Sequence, residues 1–172
     1  MVLYHYTEFN NGLDDILNSH IKVATLDSVN DPYEWVPCVK MPDGSVIPAD
    51  HARNWWHEHY KDQIGFVCLA KSCTNPVMWA HYASKHQGIV LGFECRPSES
   101  KIWPVEYRTR RVKFDDPQAI SETQREEMFR KFICQKYVRW RYEDEWRAYV
   151  SIPGQCVARK GERGYRMKIV AS

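Results

Sequence analysis

Residues 64–94 read IGFVCLA-KSCTN-PVMWAHY-ASKHQG-IVLGFE, and this stretch decides the fold of the chain. Ile64 to Ala70 is an apolar run typical of a buried strand. Asn75 followed by Pro76 is typical of a helix N-cap with proline at the first helical position. A second apolar strand is predicted from Gly88 to Glu94. The order strand, short helix, strand indicates a chain that mixes both kinds of element.

The same patterns continue on either side of this stretch. Short alternating or apolar runs predict further strands at Leu3–Thr7, Ile21–Thr25, Val105–Tyr107, Val112–Phe114, Tyr142–Ser151 and Tyr165–Val170. Helical spacing predicts three longer helices: one that opens at Asn11 with Leu13, Ile16 and Leu17 on one face, one over residues 49–62, and one over Ser121–Val138 with a Ser121–Gln124 capping box. The content of Asn, Asp and Pro predicts a loop at Asp27–Glu34. The prediction is one α+β domain over residues 1–172, with a mixed or antiparallel sheet and a few flanking helices.

Composition indicates a globular chain. It is 44% hydrophobic, 27% charged and 13% aromatic, and this proportion of apolar residues can form a core. No apolar run approaches the roughly 20 residues of a membrane helix, and the N-terminus carries no signal pattern. We therefore expect a cytoplasmic protein with no membrane partner, whose six scattered cysteines are thiols.

Charge is divided unevenly along the chain. Residues 1–100 hold 7 Lys and Arg against 12 Asp and Glu, and residues 101–172 hold 17 against 10. The basic half could meet the phosphates of a nucleotide or a nucleic acid. The alternative, that these charges are scattered over solvated faces, stays open.

The helix predicted after Asn75 combines core and polar residues. Met78, Trp79 and Tyr82 lie three and four residues apart and share a face. We expect Met78 and Trp79 to anchor the helix in the core. His81 and Tyr82 each bring a polar tip, and we expect both to face a cleft.

A metal site is one interpretation of the same region. Cys68, Cys73, His81 and His86 fall near the ligand spacing of small zinc sites. Cys68 lies within a predicted strand, however, and seven residues between the two pairs is shorter than the usual finger loop. We therefore predict no metal, zinc included.

A third pattern is Tyr142-Glu143-Asp144-Glu145-Trp146-Arg147. On a strand, Glu143, Glu145 and Arg147 would share one face. Glu145 and Arg147 could form a structural ion pair, or Glu145 could bind a sugar hydroxyl and stabilise a developing cation. His5, in the first strand, could converge on the same cleft.

Together these segments resemble a family of uncharacterised bacterial and phage proteins. The resemblance rests on Tyr4-His5-Tyr6-Thr7, on Asn30-Asp31-Pro32-Tyr33-Glu34, on Met78-Trp79-Ala80-His81-Tyr82-Ala83 with His86-Gln87-Gly88 and Phe93, and on residues 142–147. It spans residues 3–147 in that order. It implies no settled activity.

A more remote resemblance is to the ADP-ribosyltransferase superfamily, whose members carry a first-strand His, a central Tyr and a late-strand Glu. It implies a split sheet and NAD as substrate, with His5 on the nicotinamide-side ribose, Tyr82 near the nicotinamide and Glu145 on the ribose 2′-hydroxyl. Asn30, Asp31 and Glu34 would rim the acceptor side, and His81, His86 and Arg147 are further candidates for binding. Glu143 competes with Glu145 for the carboxylate role.

The leading hypothesis is therefore an NAD-dependent ADP-ribosyltransferase-like enzyme, such as a toxin or phage-defence effector that modifies nucleic acid or protein. One alternative is a noncatalytic module that binds a nucleotide, a nucleic acid or a protein. Another is a nuclease or other hydrolase that uses His81 and His86, with or without a metal.

Overall fold

A computed structural model of the protein describes residues 1–31, 34, 36, 38–41, 43–96, 101–114, 122–158 and 165–169. Its helices flank a mainly antiparallel five-stranded sheet, which confirms the predicted α+β fold class. Across the described ranges, none of the helices combines the length and the apolar character needed to cross a membrane.

The elements follow one another in the order that the sequence patterns indicate, with several boundaries moved. The strands are β1 Val2–Thr7, β2 His20–Val23, β3 Cys38–Val39, β4 Ile64–Ala70, β5 Ile89–Glu94, β6 Ile102–Pro104, β7 Glu106–Arg108, β8 Lys113–Phe114, β9 Gln135–Tyr137, β10 Glu145–Ser151, β11 Cys156–Ala158 and β12 Tyr165–Lys168. The helices are α1 Phe9–Asn18, α2 Ala49–Tyr60, α3 Pro76–Tyr82, α4 Glu122–Ile133 and the short, kinked α5 Ile152–Gln155. Two 3₁₀ helices span Leu26–Ser28 and Val138–Glu143.

The main sheet has the strand order β5-β1-β4-β10-β6. A three-stranded sheet has the order β11-β12-β2, and the pairs β3-β8 and β7-β9 are parallel. Within the main sheet, β10 pairs with β4 along seven residues, so Glu145 lies beside Ala70 and Arg147 beside Cys68. This pairing places Glu145 and Arg147 on an interior strand, between β4 and β6.

Strands β1 and β4 pair at Tyr4 and Ala70 and then separate. Further along β4, the backbone N–H groups of Phe66 and of Ala24, just after β2, each donate a hydrogen bond to the carbonyl of the other residue. Gly65 allows this close approach, because a Cβ atom there would lie 2.3 Å from Cγ1 of Val23. The sheet therefore opens between β1 and the middle of β4.

Helix α3 forms as its sequence predicts. The Asn75 side chain accepts a hydrogen bond from the backbone N–H of Val77 at 3.0 Å, and Pro76 follows the cap. Met78 is buried and packs with Tyr6, and Trp79 packs against the same cluster, so both anchor the helix in the core as expected.

The predicted helix over Ser121–Val138 is too long at its C-terminal end. Helix α4 ends at Ile133, and Gln135–Tyr137 pair with β7 as strand β9. Tertiary bonds override the helical pattern here, because the Tyr137 N–H donates to Asp31 and the Gln135 side chain accepts from Val112. The predicted capping box involves Ser121, which lies outside the described residues.

Strand β10 begins at Glu145, three residues after the start of the strand predicted over Tyr142–Ser151. Residues Val138–Glu143 form a 3₁₀ helix, and Asp144 then adopts a left-handed conformation with φ of 42°. Asp is among the residues that enter this region at low cost, so it can end the helix and start β10. Glu143 therefore lies on the helix and Glu145 on the strand, yet both side chains are buried in the same place.

Candidate functional site

A cavity of about 300 Å³ lies where β1 and β4 separate. It is lined by side chains from both strands, from α3 and from the segment after β2. Further lining side chains come from β9, from the second 3₁₀ helix and from β10. The polar residues among them include His5, Asn30, Glu34, His81, Tyr82, Lys136, Glu143, Glu145 and Arg147, and also Thr7, Glu8, Asn11, Lys22 and Ser28.

Arg147 is the most enclosed charge in this cavity, with 1% of its surface exposed. Its Nε donates to Oε1 of Glu145 at 2.8 Å and its Nη2 to Oε2 of Glu34 at 2.9 Å. Nη1 donates to the carbonyl of Ile133 at 2.5 Å, and the guanidinium lies 4.5 Å from the ring centroid of Phe66. These contacts fix the arginine in one orientation.

Lys136 is the second buried cation. Its Nζ lies 2.5 Å from Oε2 of Glu143, 3.1 Å from Oε2 of Glu145 and 3.3 Å from Oε1 of Glu34. Three carboxylates thus surround two cations. If all five groups are charged, the cluster carries one net negative charge, which would attract a ligand with a positive group.

The three carboxyl groups differ in acidity because they share the cations unequally. Burial alone would raise the pKa of Glu145, but Arg147 and Lys136 lower it to about 2. Burial raises the pKa of Glu143 and of Glu34, and the cations offset this only in part. Burial would lower the pKa of Lys136, but the surrounding carboxylates raise it well above its ordinary value.

Tyr82 links this charge cluster to the cavity mouth. Its hydroxyl donates a short hydrogen bond to Oε1 of Glu143, and the Asn30 side-chain amide donates to the same hydroxyl. Burial, and next the negative charge of Glu143, raise the pKa of Tyr82. The phenol therefore stays protonated at neutral pH and acts as a hydrogen-bond donor.

His5 is buried on the β1 side of the cavity. Its Nδ1 bonds the backbone carbonyl of Cys68 at 2.9 Å, and a carbonyl can only accept, so Nδ1 carries the proton. Burial lowers the pKa of His5 below 6.5, which keeps the ring neutral. Nε2 is then left with a free lone pair that can accept a hydrogen bond from a ligand hydroxyl.

The structure brings most of the sequence-predicted residues together and leaves two of them apart. His5, Asn30, Glu34, His81, Tyr82, Glu145 and Arg147 all line the cavity, while their chemical roles stay a prediction. Asp31 is buried, and its carboxylate accepts from the Tyr137 N–H at 2.8 Å, which is a structural contact. His86 is exposed in the left-handed turn that follows α3 and does not line the cavity.

Cys68, Cys73, His81 and His86 are the residues whose spacing resembles that of a zinc site. Burial raises the pKa of the Cys68 thiol well above its ordinary value, which opposes the thiolate that a zinc site needs. Among the described residues, ligand atoms come within metal-binding distance of one another at Asp14, Asp15 and His20. At that place the Arg166 guanidinium already pairs with the Asp15 carboxylate.

Sequence reasoning missed Lys136 and Tyr107. The Tyr107 hydroxyl accepts a hydrogen bond from the Glu145 N–H at 2.8 Å and so fixes the start of β10. Lys136 stands as one cation in the mostly apolar run Phe132 to Val138, and this was an available signal. It was missed because the run was assigned to a helix, and the position of Lys136 four residues after Phe132, within the apolar face of that helix, was not used.

Residues 78–148 match the model of a family described as "Protein of unknown function (DUF2971)". The match fits the resemblance to an uncharacterised family, and its description names no activity. Neither the curated proteins nor the solved structures include a match to this chain. The matched region contains Tyr82, Lys136, Glu143, Glu145 and Arg147, whereas His5 and Glu34 lie before it.

The raised pKa of Glu143 gives a pH dependence that a single variant can isolate. A carboxyl group whose folded pKa lies above its unfolded value of 4.5 costs stability as pH rises from 4.5 through the folded pKa. Because glutamine does not titrate, we expect Glu143→Gln to gain stability relative to the wild type as pH rises above 4.5. Urea denaturation of both proteins across this range measures the difference. A difference that shrinks with rising pH would show that ionised Glu143 is net stabilising.

Proposed function

We propose that the cavity binds the nicotinamide and ribose end of NAD and transfers the ADP-ribosyl group to an acceptor. The observation that carries the proposal is the meeting of His5, Tyr82 and the Glu143–Glu145 pair where β1 separates from β4. This is the residue set that the resemblance to ADP-ribosyltransferases implies, gathered in one cavity from three distant parts of the chain.

The charge of the cluster supports this substrate. The oxidised nicotinamide ring carries a positive charge, and the cluster has three carboxylates against two cations. Glu143 and Glu145 are fixed before the ligand arrives, so they need no reorganisation to stabilise positive charge. A cavity of about 300 Å³ is of the size that binds small molecules and would take one end of the dinucleotide.

The proposed reaction breaks the bond between the ribose C1′ and the nicotinamide nitrogen. The bonding electrons leave with nicotinamide, which becomes neutral, and positive charge develops on the sugar. A carboxylate stabilises that charge, while Nε2 of His5 accepts a hydrogen bond from a ribose hydroxyl. An acceptor nucleophile then bonds C1′ and loses its proton to solvent.

Glu143 is the carboxylate that the proposal places against the sugar. Its Oε1 accepts from the Tyr82 hydroxyl and its Oε2 from Lys136. Glu145, the choice made from the sequence, has both oxygens bonded to Arg147 and its Oε2 bonded also to Lys136. Glu145 would therefore position Lys136 and Arg147 around the reacting centre.

The noncatalytic binding module is a second candidate, and one observation favours it. Arg147 pairs with both Glu34 and Glu145 inside the protein, as residues of a structural network do. The hydrolase alternative has less support, since His81 lines the cavity and His86 does not.

The test is nicotinamide release from NAD by the wild type and by Tyr82→Phe. Removing the hydroxyl deletes the hydrogen bond that orients Glu143, so we expect at least a roughly tenfold loss of turnover with the fold retained. Tyr60→Phe in α2, at a tyrosine that does not line the cavity, is the matched control and should match the wild type. A folded wild type that neither binds NAD nor releases nicotinamide would favour the binding module.

A further inference from the structure

Helix α1 turns an apolar flank to solvent. Phe9, Leu13, Ile16 and Leu17 are between 41% and 73% exposed, and their spacing places them along one side of the helix. Leu17, at 73%, is the most exposed of the four. We call these four side chains the α1 flank. Taking side chains of about 150–200 Å² each, the flank exposes roughly 400 Å².

The α1 flank faces away from the candidate site. On the opposite side of the helix, Glu8 and Asn11 line the cavity between β1 and β4. Underneath, Gly12 packs so closely on Thr7 and Ile89 that a Cβ atom would lie 2.8 and 3.1 Å from their side chains. β5 lies on the other side of β1 from the cavity, so the contact of Gly12 with Ile89 places α1 beside β5, the strand at the edge of the sheet.

The edge of β5 is open in the described part of the chain. β5 is the end strand of the main sheet, and on its inner side all six of its residues pair with β1. Its sequence is IVLGFE, and the four apolar side chains in it are partly exposed. Long apolar edges without proline, lysine or a bulge pair readily with another strand, and monomeric proteins usually block them.

We propose that this face joins two copies of the chain into a symmetric dimer. The two β5 strands would pair antiparallel about a two-fold axis that passes between the two copies of Gly92, and the two α1 flanks would pack beside each other. The main sheets would then continue as one sheet of ten strands. Such an isologous contact needs a surface that complements itself, and an antiparallel strand edge does so by its backbone alone.

Charge favours a second copy as the occupant. The α1 flank carries no charge, and in this register Glu94 of each copy lies opposite Val90 of the other, so the two carboxylates do not meet. The area also favours it. The α1 flank of roughly 400 Å² and a strand edge about 20 Å long approach the roughly 800 Å² per partner of a stable interface.

The test is the mass of the full chain in solution by light scattering or sedimentation. We expect the wild type at twice 20.4 kDa and the single variants Leu17→Glu and Leu17→Lys at 20.4 kDa, all with unchanged circular dichroism. Because equivalent flanks face each other in the dimer, an equimolar mixture of the two variants should recover the dimer. Val46→Glu, at an apolar residue exposed to a similar degree elsewhere, is the matched control and should stay dimeric.

Two outcomes would overturn the proposal. One is a wild type that stays at 20.4 kDa at its highest soluble concentration, including a monomer that instead sediments with lipid vesicles. The other is a dimer that both Leu17 variants leave intact, which would place the interface on another face.

Discussion

Arg147→Met is expected to lower the free energy of unfolding by about 3–5 kcal/mol. The guanidinium is the partner of Glu145 and Glu34, and both carboxylates are buried. Methionine fills a similar volume, but Lys136 would then face three carboxylates alone. The cost therefore comes from charges that stay buried without a partner, more than from lost packing. Urea denaturation at neutral pH measures it.

The matched control is Arg108→Met, since Arg108 pairs with Glu106 on the surface and both side chains are more than 40% exposed. We expect a loss below about 1 kcal/mol there. The deficit of Arg147→Met should also shrink as pH falls toward 4.5, the ordinary value for Glu34, because buried carboxyl groups without a cation have raised pKa values and take up protons above that pH. A loss equal to that of Arg108→Met would show that the buried network adds little to stability.

The sequence predicts the local parts of this fold better than the parts that depend on tertiary contact. Helix α3 has its cap, its proline and its apolar face within the short stretch from Asn75 to Tyr82, and it forms as predicted. The end of α4 and the start of β10 depend instead on bonds to Asp31 and on the left-handed Asp144. No periodicity in the sequence carries that information.

At the candidate site too, the sequence predicts which residues meet, but not the contacts between them. Motif order was enough to gather His5, Tyr82 and Glu145, because each belongs to a distinct pattern. The network around them joins residues as far apart as Glu34 and Arg147, and its geometry follows from the pairing of β10 with β4. The excess of basic residues after residue 100 was interpreted as a surface that could bind phosphate. Three of these cations instead form ion pairs inside the protein: Lys136 and Arg147 with Glu34, and Arg166 with Asp15.

The two carboxylates of the proposed site should respond differently to the loss of charge. We expect Glu143→Gln to lower nicotinamide release from NAD by about 100-fold or more, because the negative charge placed against the sugar is removed. Its fold should persist, since an amide oxygen can still accept from Tyr82 or Lys136. Turnover and NAD affinity, measured separately, distinguish a lost transition-state contact from lost binding.

Glu145→Gln should act mainly on stability. Its carboxylate has a pKa of about 2 because two cations hold it ionised, so the amide leaves Arg147 and Lys136 short of negative charge. We expect the larger loss of unfolding free energy in this variant and the larger loss of turnover, per folded molecule, in Glu143→Gln. The reverse order would return the sugar-facing role to Glu145, as its place in the E-W-R motif implies. If both variants bind NAD as the wild type does and none of the three proteins releases nicotinamide, the cavity is a binding site and the carboxylates serve the fold.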